Sequence, residues 1–218
     1  MLRFTEKLAK SGKNEYAIFL LHGFGDSGKN FIDFSEYFSG ISKNIYFIAP
    51  NAPQQLAPGS YRWFPLAVDS ITMADIAEAI EKNYRVVCDF IDEHIEKLRV
   101  RPENVFIVGF SQGAMMSLYA GLRLDYRIGG IVSFSGLYPE PMRNFSSAPK
   151  TSQNILMIHS EGDSVVPYAC LDHSRRLLEG FGINAKTYSC RNASEHMAVD
   201  QDCTMVSNHF IRDIMDQR

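Results

Sequence analysis

Along this chain, continuous apolar runs alternate with stretches whose apolar residues recur every three or four positions. Tyr16 to Leu21 reads YAIFLL, and Ile45 to Ala49, Val105 to Val108, Gly130 to Phe134 and Ile155 to His159 are runs of the same kind. Such runs predict strands covered on both faces. A short helix is predicted around Asn30 to Phe38. From about Thr72 to Leu98, the residues Ile76, Ile80, Tyr84, Val87, Ile91, Ile95 and Leu98 fall on one helical face. That spacing predicts one amphipathic helix with a kink, ended by Arg101-Pro102. Further helices are predicted from Gln112 to about Leu124, from Tyr168 to Leu178 before Gly180, and from Asp200 to Ile214. In the last, Met205, Val206, Phe210 and Ile214 share a face. Ala185 to Ser189 reads as a short final strand. NAPQQLAPGSYRWFPLAVDS (51–70) and the proline-rich stretch 135–153 follow neither period and read as loops, the first of functional length. Alternating strands and helices predict an α/β chain with a mostly parallel central sheet and helices on both faces. No repeat or linker divides it, so residues 1–218 read as a single domain.

Composition narrows this picture only by exclusion. The chain has 218 residues, 45% hydrophobic and 22% charged, enough for a sizeable core. Its formal net charge of −3 offers no attraction for nucleic acid or an anionic membrane. The first residues, MLRFTEKLAKSGKNE, are too polar for a signal peptide, and no apolar run approaches the ~20 residues of a membrane span. The four cysteines, Cys88, Cys170, Cys190 and Cys203, lack C-x-x-C spacing and a histidine-rich metal pattern. They read as free thiols in a reducing cytoplasm, with no metal or cofactor expected.

The chemistry begins at Gly109-Phe110-Ser111-Gln112-Gly113, where a strand pattern gives way to a helical one. A serine on so tight a turn needs neighbours without side chains, and its hydroxyl then projects from the carboxyl end of the sheet. This is the G-x-S-x-G nucleophile elbow in its required context. A serine hydroxyl needs a base, usually a histidine held by a carboxylate. In α/β-hydrolase order the acid follows the serine and the histidine follows the acid. Of six histidines, His22 and His94 precede Ser111, His159 lies within a strand, and His173 and His209 lie within helical patterns. His196 remains, in a loop between the last strand and the last helix. Asp163, in the turn after strand Ile155 to His159, is the favoured acid, with Glu161 as competitor and Asp172 a turn into the next helix. Asp163 could also serve as turn or cap chemistry. Donors for a tetrahedral oxyanion are expected from the backbone N–H of Gln112, at a helix start, and of Phe24, in the glycine-rich loop LHGFGD. That loop lacks the spacing of a nucleotide-binding P-loop.

Taken together, LHGFGDSG, RWFPL, GFSQGA, HSEGDSVVP and EHMAVDQD resemble, in order and across almost the whole chain, the carboxylesterase/phospholipase family that includes acyl-protein thioesterases. The resemblance implies an α/β-hydrolase fold without a cap domain. It implies a triad of Ser111, Asp163 and His196, an oxyanion hole at Phe24 and Gln112, and an apolar substrate loop at RWFPL. Ala114 stands where many relatives have glycine, and Ser194-Glu195 precede His196 where glycine is common. Neither change removes a reacting group.

The leading expectation is a serine hydrolase that cleaves carboxylic esters or thioesters through an acyl-enzyme. Small esters, lysophospholipids and acylated proteins are all compatible substrates, and a second copy of the chain is a candidate partner. The alternative is a catalytically silent hydrolase-fold binding protein, which would be expected to have lost a triad member. A peptidase would usually need a cap domain or propeller. The substrate wall is expected from Trp63, Phe64 and Leu66, extended by Val165 and Met197, the alternative being that Trp63 and Phe64 turn inward as core anchors.

Overall fold

The computed structural model describes residues 2–65, 72–139, 149–191, 196 and 200–217. Nine strands are formed among these residues: β1 (Phe4–Lys7), β2 (Tyr16–Leu21), β3 (Ile45–Pro50), β4 (Gln54–Ala57), β5 (Ser60–Arg62), β6 (Val105–Phe110), β7 (Gly130–Phe134), β8 (Ile155–Ser160) and β9 (Lys186–Cys190). The helices are α1 (Gly28–Phe31), α2 (Met73–Asn83), α3 (Arg85–Leu98), α4 (Gln112–Gly121), α5 (Ala169–Gly180) and α6 (Gln201–Asp216). A 3-10 segment, Ile32–Tyr37, continues α1.

Seven strands make one sheet in the order β1-β3-β2-β6-β7-β8-β9, and only β1 runs antiparallel to its neighbour. The apolar runs are unbroken because successive side chains enter different cores. Ala17, Phe19 and Leu21 join the cluster under α2 to α5, while Ile18 and Leu20 join the one under α1 and α6. β6 divides likewise, with Val105 and Ile107 on one side and Phe106, Val108 and Phe110 on the other. Each fully buried Val, Leu, Ile or Phe among them contributes roughly 1.5–3 kcal/mol of hydrophobic stabilisation.

Three features depart from the expected pattern. The long helix is two helices, α2 and α3, meeting at Tyr84. Its side chain packs edge-on to Tyr119 of α4, so the apolar face continues across the break. β1 is an additional edge strand. Within 51–70, β4 and β5 form a hairpin whose turn uses Gly59 at φ 77°. The hairpin bonds back to the glycine-rich loop after β2: the Gly25 N–H donates to the Tyr61 carbonyl at 2.8 Å and the Tyr61 N–H to the Asp26 carbonyl at 2.9 Å.

The cysteine expectation needs correction. Cys190, at the end of β9, and Cys203, in the first turn of α6, form a disulfide with Cα atoms 6.3 Å apart. Only Cys88 and Cys170 are free. The two paired residues are 13 apart in sequence, and the end of β9 lies against the start of α6, which sequence spacing does not reveal. None of the described helices is long and apolar enough to cross a membrane.

Candidate active site

β6 delivers Ser111 to the carboxyl edge of the sheet, and α4 begins at the next residue. Ser111 has φ 52° and ψ −117°, a conformation costly for a residue with a Cβ and maintained here by its surroundings. Its N–H donates to the Phe134 carbonyl at 2.9 Å, and its own carbonyl accepts the Met115 N–H at 3.1 Å. The flanking glycines are sterically required. A Cβ on Gly113 would strike the Leu21 carbonyl, and one on Gly109 would strike the Gly113 carbonyl and the Ser117 hydroxyl.

Asp163 sits in the turn after β8 and is 7% exposed. Its Oδ1 accepts the N–H groups of Val165 and Val166, each at 2.9 Å. Its Oδ2 accepts the His196 Nδ1–H at 2.8 Å. Burial alone would raise the carboxyl pKa. The hydrogen bonds from His196 and the two amides outweigh it and hold Asp163 below its ordinary value. An ionised carboxylate only accepts, so His196 must carry its proton on Nδ1. That leaves Nε2 bare, 2.8 Å from Ser111 Oγ, to accept the hydroxyl proton. Ser111, Asp163 and His196, remote in sequence, thus form one hydrogen-bonded line. The imidazole also packs against the Phe110 ring with centroids 5.0 Å apart, and the Ser135 hydroxyl donates to the His196 carbonyl at 2.9 Å. Neither Phe110 nor Ser135 was singled out from sequence.

The loop after β2 is built around His22, which is completely buried. Its Nε2 accepts the Ala52 N–H at 3.0 Å, so Nδ1 carries the proton and donates to the Gly23 carbonyl at 2.7 Å. With Nε2 accepting, the ring is neutral, and burial lowers its pKa in the same sense. Phe24 follows with its side chain 50% exposed. The Gln112 N–H occupies the first position of α4, where a helix offers no internal acceptor. The Gln112 side chain is buried and clamps the neighbouring loop, accepting the Trp63 N–H at 2.8 Å and donating to the Phe64 carbonyl at 2.9 Å.

The expected substrate wall is redrawn by these contacts. Trp63 and Phe64 are both 0% exposed, and Trp63 Nε1–H donates to the His22 carbonyl at 2.8 Å. They are core anchors beneath the glycine-rich loop, because an indole N–H satisfied by a buried carbonyl holds the ring inward. Leu66 and Met197 lie outside the described residues. Val165, beside the acid, is 65% exposed. An open groove of about 320 Å³ is lined by Asp26, Asn30, Phe31, Asp33, Phe34, Tyr37 and Phe110, the last of which packs against the imidazole. Sequence reading passed over His159. This strand histidine is buried against the acid, with Nε2 3.2 Å from Asp163 Oδ2.

The family model described as phospholipase/carboxylesterase matches residues 6–214. The chain is 29% identical over 225 residues to an acyl-protein thioesterase 1 of Debaryomyces hansenii, covering 97% of this chain and 94% of that one. It is 30% identical over 192 residues to an acyl-protein thioesterase 1 of Gibberella zeae, covering 78% and 80%. Among solved structures, the crystal structure of esterase PE8 superposes with a TM-score of 0.89 at 30% identity, covering 98% of this chain and 99% of that one.

Proposed function

This chain belongs to the phospholipase/carboxylesterase family and is a hydrolase of ester or thioester bonds, and on that premise we propose that Ser111, His196 and Asp163 carry the reaction. Ser111 Oγ attacks the acyl carbonyl carbon as His196 Nε2 takes its proton. The Phe24 and Gln112 N–H groups receive the oxyanion. The tetrahedral intermediate then expels the alcohol or thiol, which leaves with the proton from His196. Water repeats the sequence on the acyl-enzyme, releasing the acid and restoring Ser111. Asp163 holds the imidazole in the tautomer this requires and stabilises the imidazolium as it forms. The chemistry needs no metal or cofactor.

The observation that supports this reading most is the unbroken line from Asp163 through His196 to Ser111, with both links at 2.8 Å. A silent binding protein is not favoured, since every reacting group is present and in contact. Acyl-chain esters and thioesters are the proposed substrates, their apolar parts lying on exposed Phe24 and Val165 and on the aromatic residues of the groove, which also carries Asp26, Asn30 and Asp33. The test is initial rates on matched oxygen esters and thioesters of increasing acyl length. Apolar contact predicts a graded rise of kcat/KM with chain length, at most about 1–3 kcal/mol per methylene. Absence of turnover on every member of both series would refute the proposal.

A further inference from the structure

The Asp163 carboxylate serves two imidazoles. His196 Nδ1 lies 2.8 Å from Oδ2, and His159 Nε2 lies 3.2 Å from the same oxygen. The His159 side chain is fully buried, and its Nε2 is also 2.9 Å from the Val166 carbonyl. Both groups in front of Nε2 are acceptors, so Nε2 carries the proton. Nδ1 is then bare, and among the described residues it has no hydrogen-bond partner. A second proton there would create a buried donor with nothing to accept it, so the ring is held neutral. Burial lowers the His159 pKa in the same sense.

From this geometry we infer that His159 is a positioning residue, a second histidine whose Nε2–H is shared between Asp163 Oδ2 and the Val166 carbonyl and which fixes the acid against His196. The inference rests on the triad reading given above. Val166 closes the same turn from the other side, its N–H donating to Asp163 Oδ1 at 2.9 Å. With Val165, the carboxylate therefore faces four donors, two at each oxygen, and is left with one orientation. His159 further draws negative charge from Oδ2, so Asp163 attracts the proton on His196 less strongly than an unshared carboxylate would. The other titratable groups around the pair are Tyr168, whose ring lies 6.1 Å from the His159 ring and whose hydroxyl bonds with Ser189, and Cys170 of α5, whose thiol burial pushes up. Glu161 faces solvent and pairs with Arg191 at 3.6 Å.

The test compares His159→Phe, which keeps a ring and removes the donor, with His159→Gln, whose amide N–H can reach the place of Nε2. A hydrogen bond to a buried charge predicts a loss in kcat of about 10- to 100-fold for His159→Phe, with KM changed by less than about twofold. The acid limb of its pH profile should move to higher pH, and His159→Gln should recover most of the rate. Unchanged kcat and acid limb in a folded His159→Phe protein would overturn the inference. So would equal losses in both variants with an unmoved acid limb and a shared fall in Tm. Nitrogen NMR of the wild-type imidazole tests the premise without any variant: a neutral Nε2–H tautomer at pH 6 supports it, and an Nδ1–H or doubly protonated ring refutes it. Ser111→Ala, run alongside, separates the two levels. A dead Ser111→Ala with an unaffected His159→Phe removes only this inference, whereas an active Ser111→Ala removes the triad itself.

Discussion

Replacing Asp163 by asparagine changes one atom and opposes hydrogen-bond donors with donors wherever the amide is placed. The Oδ1 position receives two backbone N–H groups at 2.9 Å, from Val165 and Val166. The Oδ2 position receives the His196 Nδ1–H at 2.8 Å and faces His159 Nε2 at 3.2 Å. An NH2 group at Oδ1 meets two backbone donors that cannot change. At Oδ2 it meets two imidazoles, and His159 stays a donor because the Val166 carbonyl also faces its Nε2. The available relief is for His196 to switch tautomer. Nδ1 then accepts from the amide and Nε2–H points at Ser111 Oγ, where it can no longer take a proton. The expected loss is about 10⁴-fold in kcat, or about 5 kcal/mol in activation free energy. The surviving donor clash should destabilise the fold by about 1–3 kcal/mol, or roughly 2–12 °C in Tm for a chain of this size. Ester hydrolysis at saturating substrate and a thermal melt on the same preparation measure both. A folded Asp163→Asn protein with kcat within tenfold of wild type would refute the assigned tautomer and the role of the acid.

Trp63→Ala removes a fully buried indole and its bond to the His22 carbonyl, so it should cost about 3–5 kcal/mol and lower Tm by roughly 6–20 °C, with equal losses on short and long acyl chains; a selective loss on long chains would return Trp63 to the substrate wall. Alkylation of the unreduced, unfolded chain should label Cys88 and Cys170 alone, and all four cysteines only after reduction; four labels before reduction would contradict the Cys190–Cys203 pair. His22 and His159 are both held below the ordinary histidine value of 6.5 by burial. The unfolded chain therefore binds protons first as pH falls, so their contribution to stability is full above about pH 6.5 and is lost as pH drops toward their folded values. Tm should decline from about pH 6.5 downward, ahead of the carboxylates. A Tm that stays flat to pH 5 would contradict neutral burial of the two rings.

The parts legible in the sequence were those whose signal is local. Continuous apolar runs marked β2, β3, β6, β7 and β8 because each is buried on both faces. The glycines at 109 and 113 marked the elbow because backbone and side-chain atoms occupy the space their side chains would need. Chain order then selected Asp163 and His196, which the fold brings into contact. What escaped notice either depends on partners distant in sequence or leaves no pattern of its own. β1, only partly buried, exists because β3 offers a free edge. The β4–β5 hairpin is half-buried to exposed throughout and shows no clear alternation. Trp63 gave an ambiguous signal, since an aromatic in a loop suits a core or a wall, and only the His22 carbonyl decides between them. The Cys190–Cys203 pair spans the histidine segment without a motif. His159 resembled an ordinary core residue of an apolar strand. The one available clue was its i,i+4 spacing to Asp163 across the turn that ends β8.

The claim on which the rest depends is that Ser111 is the nucleophile. Treating the protein with a fluorophosphonate, followed by peptide mass spectrometry, tests it directly. One stoichiometric adduct is expected, on the peptide carrying Gly109 to Gly113 and on Ser111 itself, abolished in Ser111→Ala. Labelling should be strongly slowed in His196→Ala, where no base is left to activate the hydroxyl. An adduct on a different residue, or undiminished labelling of Ser111→Ala, would contradict it.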